Sequence, residues 1–307
     1  MLKALLAIVL LLGLSISVQL KLDAGKPPES RIEDLLYIPS GKTVKVLSFG
    51  FDGVVADFYW LRSVQYYGRQ LLDENNEINW NRTENVRYDL LYPLLDITTT
   101  LDPHYIIAYR FAALFLVDYD PQLAIKLLKK GIEYNPNEWR LYQNLGTVYW
   151  QMKDYKAASE AFFAGAEKPK APYWMKIMGG VMLSTSGGRA TACRLYTTFY
   201  EEARQSNDSF IAEQYELQIK RIHALDEVDY LNELLDNYKK VSGRCPSGLY
   251  QLGDWLKVPS STAGSCGQTV RLNVKGREVI SPLGAAYVFD EEVCKVKMPF
   301  EMVDPNY

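Results

Sequence analysis

Histidine is the scarcest residue in this chain of 307 residues, and its scarcity excludes much catalytic chemistry. The two histidines, His104 and His223, lie in separate parts of the sequence, and we expect each to be a surface or interhelix residue. The chain also lacks a Gly-x-Ser-x-Gly elbow, a phosphate-binding loop, a dinucleotide glycine fingerprint and a His-Glu-x-x-His pair. The sequence therefore predicts a protein that is not an enzyme and binds no cofactor.

A surplus of positive charge is missing as well. The net charge is −3 at pH 7, and lysines and arginines are scattered among acidic residues. Without a basic field, nucleic acid is not expected as a partner. A metal site is not expected either, because the cysteines include no close pair and have no histidine nearby.

Long apolar runs are absent except at the start of the chain. Lys3 is followed by 17 uncharged residues, from Ala4 to Leu20, which is typical of a segment that directs export. The sequence favours an uncleaved membrane anchor over 1–22, with Lys3 inside and the bulk of the chain outside. Cleavage near Val18, which would release a secreted protein, is the alternative. A linker is predicted over 23–50.

The most prominent feature that the sequence does contain is a repeat of 34 residues. Three columns of residues recur at this interval: Ala124, Ala158 and Ala192; Ala112, Gly146 and Gly180; and Leu128, Phe162 and Tyr196. A period of this length is typical of a solenoid, in which helix pairs bury their apolar faces only by stacking on their neighbours. The sequence thus predicts a mainly α-helical solenoid over 51–242.

The best copy of the repeat begins at Trp139. Tyr142, Leu145 and Tyr149 form one apolar stripe along its first helix, and its second helix follows Asp154. This pattern resembles the tetratricopeptide repeat family over 105–136, 139–172 and 173–202. Helices at the two ends of the array are predicted as degraded copies, with an insertion over 73–87 and a terminal helix pair, 210–225 and 230–241.

The resemblance implies a binding surface for a protein or peptide. In the family, an extended peptide or a partner helix lies along the concave face formed by the first helices of successive units. Helical phase assigns seven side chains to that face: Tyr109, Arg140, Gln143, Asn144, Thr147, Trp150 and Trp174. The two tryptophans are equally interpretable as packing between units.

A small α+β module is predicted over 243–307, where helical periodicity stops. Val270 to Val274 and Tyr287 to Phe289 alternate as strands do, with a turn at Gly276 between them. The stretch 244–256 and the later stretch 281–289 resemble the end of bacterial pseudopilins. Similar combinations of apolar segment, repeats and tail occur in bacterial envelope proteins, which implies anchoring in the inner membrane with the bulk in the periplasm or outside the cell.

Four cysteines suit an oxidising compartment, where a module with little core needs a covalent link. We expect a disulfide between Cys266 and Cys294, with Cys245 to Cys294 as the alternative, since spacing alone does not determine connectivity. Cys193 is predicted to be a small buried apolar residue on a repeat helix.

One motif resembles an enzyme signature. Residues 49–57 are similar to the first motif of haloacid-dehalogenase-like phosphatases, but Gly50 replaces the attacking carboxylate. We interpret Asp52 and Gly53 as a turn or cap before the first helix.

The sequence as a whole predicts a membrane-anchored, exported scaffold that binds a peptide or protein in its groove. The alternative is a permanent structural subunit of a larger envelope complex. An enzyme with a site in the C-terminal module is a third and less favoured hypothesis.

Overall fold

The computed structural model describes Gly13, residues 15–18, Lys21, residues 38–71 and residues 88–298. Within these residues the protein is mainly helical, with short strands near the C-terminal end. The predicted anchor over 1–22 lies mostly outside the described residues, and the predicted insertion over 73–87 lies wholly outside them. Among the described residues, no helix has the length and apolar character needed to cross a bilayer.

The helices follow one another along the chain with short connections, and most pack against their sequence neighbours in a helical repeat-like arrangement. Their bounds are α1 Gly41–Leu47, α2 Asp52–Gln70, α3 Leu91–Leu101, α4 Ile106–Phe115, α5 Pro121–Tyr134, α6 Trp139–Gln151, α7 Tyr155–Ala166, α8 Trp174–Leu183, α9 Arg189–Gln205 and α10 Ser209–Ser242. A π-helical turn, Ser184–Gly188, joins α8 to α9.

Side-chain caps set the start of several helices. Asp120 accepts a hydrogen bond from the backbone N–H of Gln122 at 2.9 Å, and Pro121 then occupies the first position of α5. Asp154 caps α7 in the same way, accepting from the N–H of Ala157 at 3.1 Å. These are positions at which the chain must leave one helix and satisfy the free N–H groups of the next.

Glycines let neighbouring helices approach closely in the repeat region. A Cβ at Gly146 of α6 would lie 2.9 Å from ring carbons of Phe162 on α7. A Cβ at Gly180 of α8 would lie 2.4 Å from the ring of Tyr196 on α9. The recurring small and aromatic residues of the 34-residue repeat therefore meet each other in space, and both aromatic side chains are almost fully buried.

The chain departs from two predicted boundaries. Part of the predicted linker over 23–50 forms α1, because Ser40 caps it and its buried face at Gly41 and Val44 packs against α3. The two predicted terminal helices are instead one helix, α10, of 34 residues. The stretch between the two predicted helices, 226–229, contains no helix breaker, and its first two residues, Asp226 and Glu227, are buried.

The C-terminal module begins after α10, where Gly243 adopts a left-handed conformation at φ 73°. A 3-10 segment, Leu249–Lys257, is followed by two antiparallel hairpins, β1 Asn273–Lys275 with β2 Glu278–Ile280 and β3 Val288–Asp290 with β4 Lys295–Lys297. The module and α10 share an apolar core, whose most buried members are Ala224, Leu231, Leu235, Leu252, Leu256, Val279 and Val296.

Both disulfides involve this module. Cys245 bonds to Cys294 within it, with 5.9 Å between their Cα atoms, and Cys193 of α9 bonds to Cys266, with 5.5 Å between their Cα atoms. The preferred pairing of Cys266 with Cys294 is therefore wrong, and the structure contains the alternative pairing. Cys193 is buried as expected but is not merely an apolar residue, because the fold brings the loop at Cys266 against α9.

Candidate partner-binding surface

The candidate surface lies on α6, whose apolar side packs inward. Leu141, Leu145 and Val148 are buried on that side, so the residues offset by about half a turn are directed away from it. Glu138 caps the helix by accepting from the N–H of Arg140. The cap and the buried stripe together fix which side chains of α6 remain accessible.

Four of the predicted side chains occupy the accessible side of α6. Arg140 is exposed, donates to Glu138 at 2.9 Å, and places its guanidinium 4.8 Å from the centre of the Trp139 ring. Gln143, Asn144 and Thr147 are half-buried, and the Thr147 hydroxyl donates to the Gln143 carbonyl at 3.0 Å. The surface is polar and carries one exposed positive charge.

Asn144 differs from its neighbours in its hydrogen bonding. Its Oδ1 atom is buried yet accepts no hydrogen bond from any of the described residues. An unsatisfied buried acceptor costs about 1–3 kcal/mol, and native proteins contain few of them. The Oδ1 atom of Asn144 is therefore a buried acceptor for which the described residues supply no donor.

Tyr109 does not belong to the surface. Its side chain is fully buried, and its ring occupies the space left by Gly131 of α5. Its hydroxyl donates to the carbonyl of Pro103 at 3.2 Å, and burial raises its pKa well above the ordinary value. The prediction for Tyr109 is wrong because helical phase alone does not distinguish the accessible side of α4 from the side that meets α5.

The two tryptophans are placed between helices. Trp150 and Trp174 are half-buried and pack against the core that contains Phe162 and Met175. Trp174, at the start of α8, makes an edge contact with Trp139 at 6.0 Å between ring centres. Both side chains therefore serve packing between units, and each leaves only part of its ring accessible at the border of the surface.

The structure also contains an exposed apolar surface that the sequence analysis did not predict. Seven large apolar side chains, each more than half exposed, cluster along α1, the turn after it and the start of α2; we call this set the apolar corner: Val46, Leu47, Phe49, Phe51, Val54, Phe58 and Leu61. A signal for it exists in the sequence, because Phe51, Val54, Phe58 and Leu61 follow helical spacing, but the same spacing is expected of a buried helix face.

A polar cavity of about 240 Å³ lies where α9, α10 and the C-terminal module meet. On its wall, Arg189 donates to Asp226 at 3.0 Å and to Asp229 at 2.6 Å, and Asp226 also accepts from the N–H and hydroxyl of Ser265, each at 2.7 Å. These contacts satisfy the polar groups of Arg189, Asp226 and Ser265 and join the module to α9 and α10; we call them the polar junction. The polar wall of the cavity therefore has a structural role.

A buried acid lies beside this junction. The Glu227 carboxyl is 2.7 Å from the hydroxyl of Tyr287, which is also 3.2 Å from the carbonyl of Ala224. Burial raises the pKa of Glu227 to about 7, although the hydrogen bond from Tyr287 opposes the shift. Among the described residues there is no group of three or more His, Cys, Asp or Glu that could hold a metal ion.

No protein-family model matches the sequence, and a search of curated proteins finds no significant match.

Proposed function

We propose that the protein is an exported, membrane-anchored adaptor of tetratricopeptide-like architecture that binds a peptide or protein along the accessible side of α6. The observation that carries the proposal is the polar set on that side: Arg140 is exposed, and Gln143, Asn144 and Thr147 are half-buried with part of each side chain accessible. Side-chain amides and hydroxyls both donate to and accept from the backbone of a bound peptide. Arg140 would attract an acidic group.

Export is supported by the two disulfides. Disulfide bonds persist in oxidising compartments and are rare in the cytosol, so their presence fits a periplasmic or extracellular location. The apolar run over 4–20 supplies the proposed anchor in the inner membrane. The repeat-like stacking of helices supports the tetratricopeptide-like architecture, since the glycines and aromatics of the predicted columns contact one another.

The proposal is tested by site-specific crosslinking in the native envelope. A photoreactive amino acid at Gln143 is expected to capture a discrete partner, and Asn144→Leu in the same chain is expected to reduce capture about ten-fold. The matched control is a photoreactive residue at the exposed Glu160 of α7. Equal capture at both positions, or capture unaffected by Asn144→Leu, would contradict groove binding.

A permanent structural subunit of an envelope complex is the second candidate, because in such a complex the exposed apolar corner would be covered by another chain or by lipid. Contiguous exposed apolar patches on soluble monomers are usually small, and larger patches mark sites of interaction with proteins or membranes. A subunit is expected to co-purify in fixed stoichiometry with other chains after mild solubilisation. An adaptor is expected to purify as a single chain.

A further inference from the structure

The apolar corner is formed by two elements that each bury one face and expose another. In α1, Gly41 and Val44 face α3, while Lys42, Lys45 and Val46 are exposed. In α2, the buried residues Ala56, Ser63 and Tyr66 lie on one side of the helix. At about 100° per residue, the exposed Val54, Phe58 and Leu61 lie on the opposite side.

The turn between α1 and α2 presents two phenylalanines to solvent. Phe49 is 84% exposed and Phe51 is 68% exposed, although both belong to the residue types that are usually buried. Phe49 has φ 49°, a conformation that bulky residues rarely adopt, and Gly50 follows at φ 89°. Backbone strain of this kind persists at functional positions, and here it holds an aromatic ring outward.

The chemistry of the corner fits a lipid surface better than a protein partner. Protein interfaces are enriched in Tyr, Trp, Phe, Met and Arg and depleted in Lys, so the lysines beside the corner, and not its phenylalanines, distinguish it from such an interface. Here the tyrosines and tryptophan of α2 lie on its packed side, and the exposed side carries Phe, Val and Leu. Exposed lysines at 42 and 45 adjoin it, and Arg62 places its guanidinium 5.8 Å from the Phe58 ring. Phe and Leu beside Lys and Arg is the composition of helices that lie in a bilayer interface.

The position of the apolar corner in the sequence also supports a lipid surface as its partner. The apolar run ends at Leu20, and α1 begins at Gly41, so about 20 residues separate them. Whatever its conformation, this segment spans at most ~70 Å. A chain held in the membrane by its first residues therefore keeps the corner near the lipid at an effective concentration on the order of millimolar.

We infer that the apolar corner inserts Phe49 and Phe51 into the interface of an anionic bilayer, with α2 lying along the membrane surface. The inference builds on the proposed membrane attachment, which supplies the tether. Lys42 and Lys45 contact lipid phosphates, and α2 holds the first helix pair against the bilayer. The surface of α6 then faces a partner at a defined height above the membrane.

The test uses the full chain reconstituted in vesicles of phosphatidylcholine with phosphatidylglycerol. All four natural cysteines form disulfides, so Phe49→Cys provides one thiol for an environment-sensitive fluorophore. Val241→Cys, at an 80% exposed apolar position on α10, is the matched control. Nitroxide-bearing lipids are expected to quench the label at position 49 strongly and the label at position 241 little. Equal quenching at both positions overturns the inference.

A second measurement separates this inference from the anchor. If carbonate releases the chain from membranes, the anchor proposal fails, and the released protein is then mixed with fresh vesicles. Binding is expected to fall about ten-fold or more in a Phe49→Ser/Phe51→Ser/Phe58→Ser variant, and about five-fold per lysine in Lys42→Gln and Lys45→Gln. Unchanged binding in all variants, or a lipid-free dimer lost in the triple variant, overturns the lipid assignment. Because these side chains are exposed, the variants are expected to keep the parental melting temperature.

Discussion

The helix hairpins of the repeat region and the C-terminal module are held together by different physical means. In the hairpin of α6 and α7, Gly146 allows Phe162 to pack into the neighbouring backbone, and apolar burial dominates. In the module, short hairpins carry a small core, and one disulfide links two parts of the module. A second disulfide joins the module to α9, and the polar junction joins it to α9 and α10. A region with few apolar residues relies on covalent and polar links, whereas a repeated helix pair does not.

The largest expected effects come from breaking the two disulfides, of which the bond within the module is taken first. The Cys245 to Cys294 bond closes a loop with a sequence separation of 49 residues. Closing a loop of this size stabilises the folded state by about 4 kcal/mol in the chain-entropy estimate. Cys245→Ser/Cys294→Ser is therefore expected to make the module susceptible to limited proteolysis while the helices keep their circular dichroism. Mass spectrometry of the fragments locates the first cuts. Cuts that begin in α6 or α7 would contradict the comparison.

The matched control for that variant is Cys193→Ser/Cys266→Ser, which leaves the module's internal bond intact. It is expected to loosen the contact between the module and α9, so that early cuts fall near Cys266 and the β-hairpins stay protected. Cuts at the same sites and rates in both variants would show that the two bonds do not act separately.

A smaller effect is expected from filling the glycine in the repeat hairpin. Gly146→Ala places a methyl group 2.9 Å from the Phe162 ring and is expected to lower the free energy of unfolding by about 1–3 kcal/mol. Gly68→Ala in α2 is the control, because a Cβ there has no neighbour within 4 Å, and it is expected to raise stability by about 0.5–1 kcal/mol. Denaturant unfolding measures both. The same sign of change at the two positions would refute the packing assignment.

The smallest expected effect is on the pH dependence of stability and comes from Glu227, which lies beside the polar junction. The folded-state pKa of Glu227 is about 7, above its ordinary value of 4.5. The carboxyl therefore contributes stability that is complete below about pH 4.5 and is lost as the pH rises through 7. Because the junction is only partly shielded, we expect the melting temperature to fall by about 1–3 °C between pH 5 and pH 8 from this group.

Glu227→Gln isolates that contribution. The glutamine keeps a hydrogen-bonding partner for Tyr287 but cannot ionise, so the fall in melting temperature between pH 5 and pH 8 is expected to shrink. The exposed pair of Glu216 and Lys220 provides Glu216→Gln as a control with the parental pH dependence. An unchanged pH profile in Glu227→Gln would remove Glu227 as the titrating group.

Much of the helical region was predictable because its signals are local. The 34-residue columns identify which small residues meet which aromatics, and Asp154 and Asp120 mark helix starts through their own side chains. The candidate surface was predictable only in part. Arg140, Gln143, Asn144 and Thr147 lie on the accessible side of α6, but Tyr109 is buried, because its accessibility depends on α5.

The stretch 226–229 shows why the rest could not be predicted. The sequence predicts one helix on each side of this stretch, yet Asp226 and Glu227 are buried within the single helix α10. Their partners, Ser265 and Tyr287, lie about 40 and 60 residues further along the chain. Nothing near these acids in the sequence indicates such partners.

The sequence by itself determined the helical character of the repeat region and the boundary of the module near Gly243, because each depends on the pattern of residue types along the chain. Only the tertiary structure decided the pairing of Cys193 with Cys266, the burial of Tyr109 and the exposure of the apolar corner. These depend on which elements meet after folding. An apolar residue at helical spacing is equally suited to a core or to an open face, and only the presence or absence of a neighbouring helix distinguishes the two.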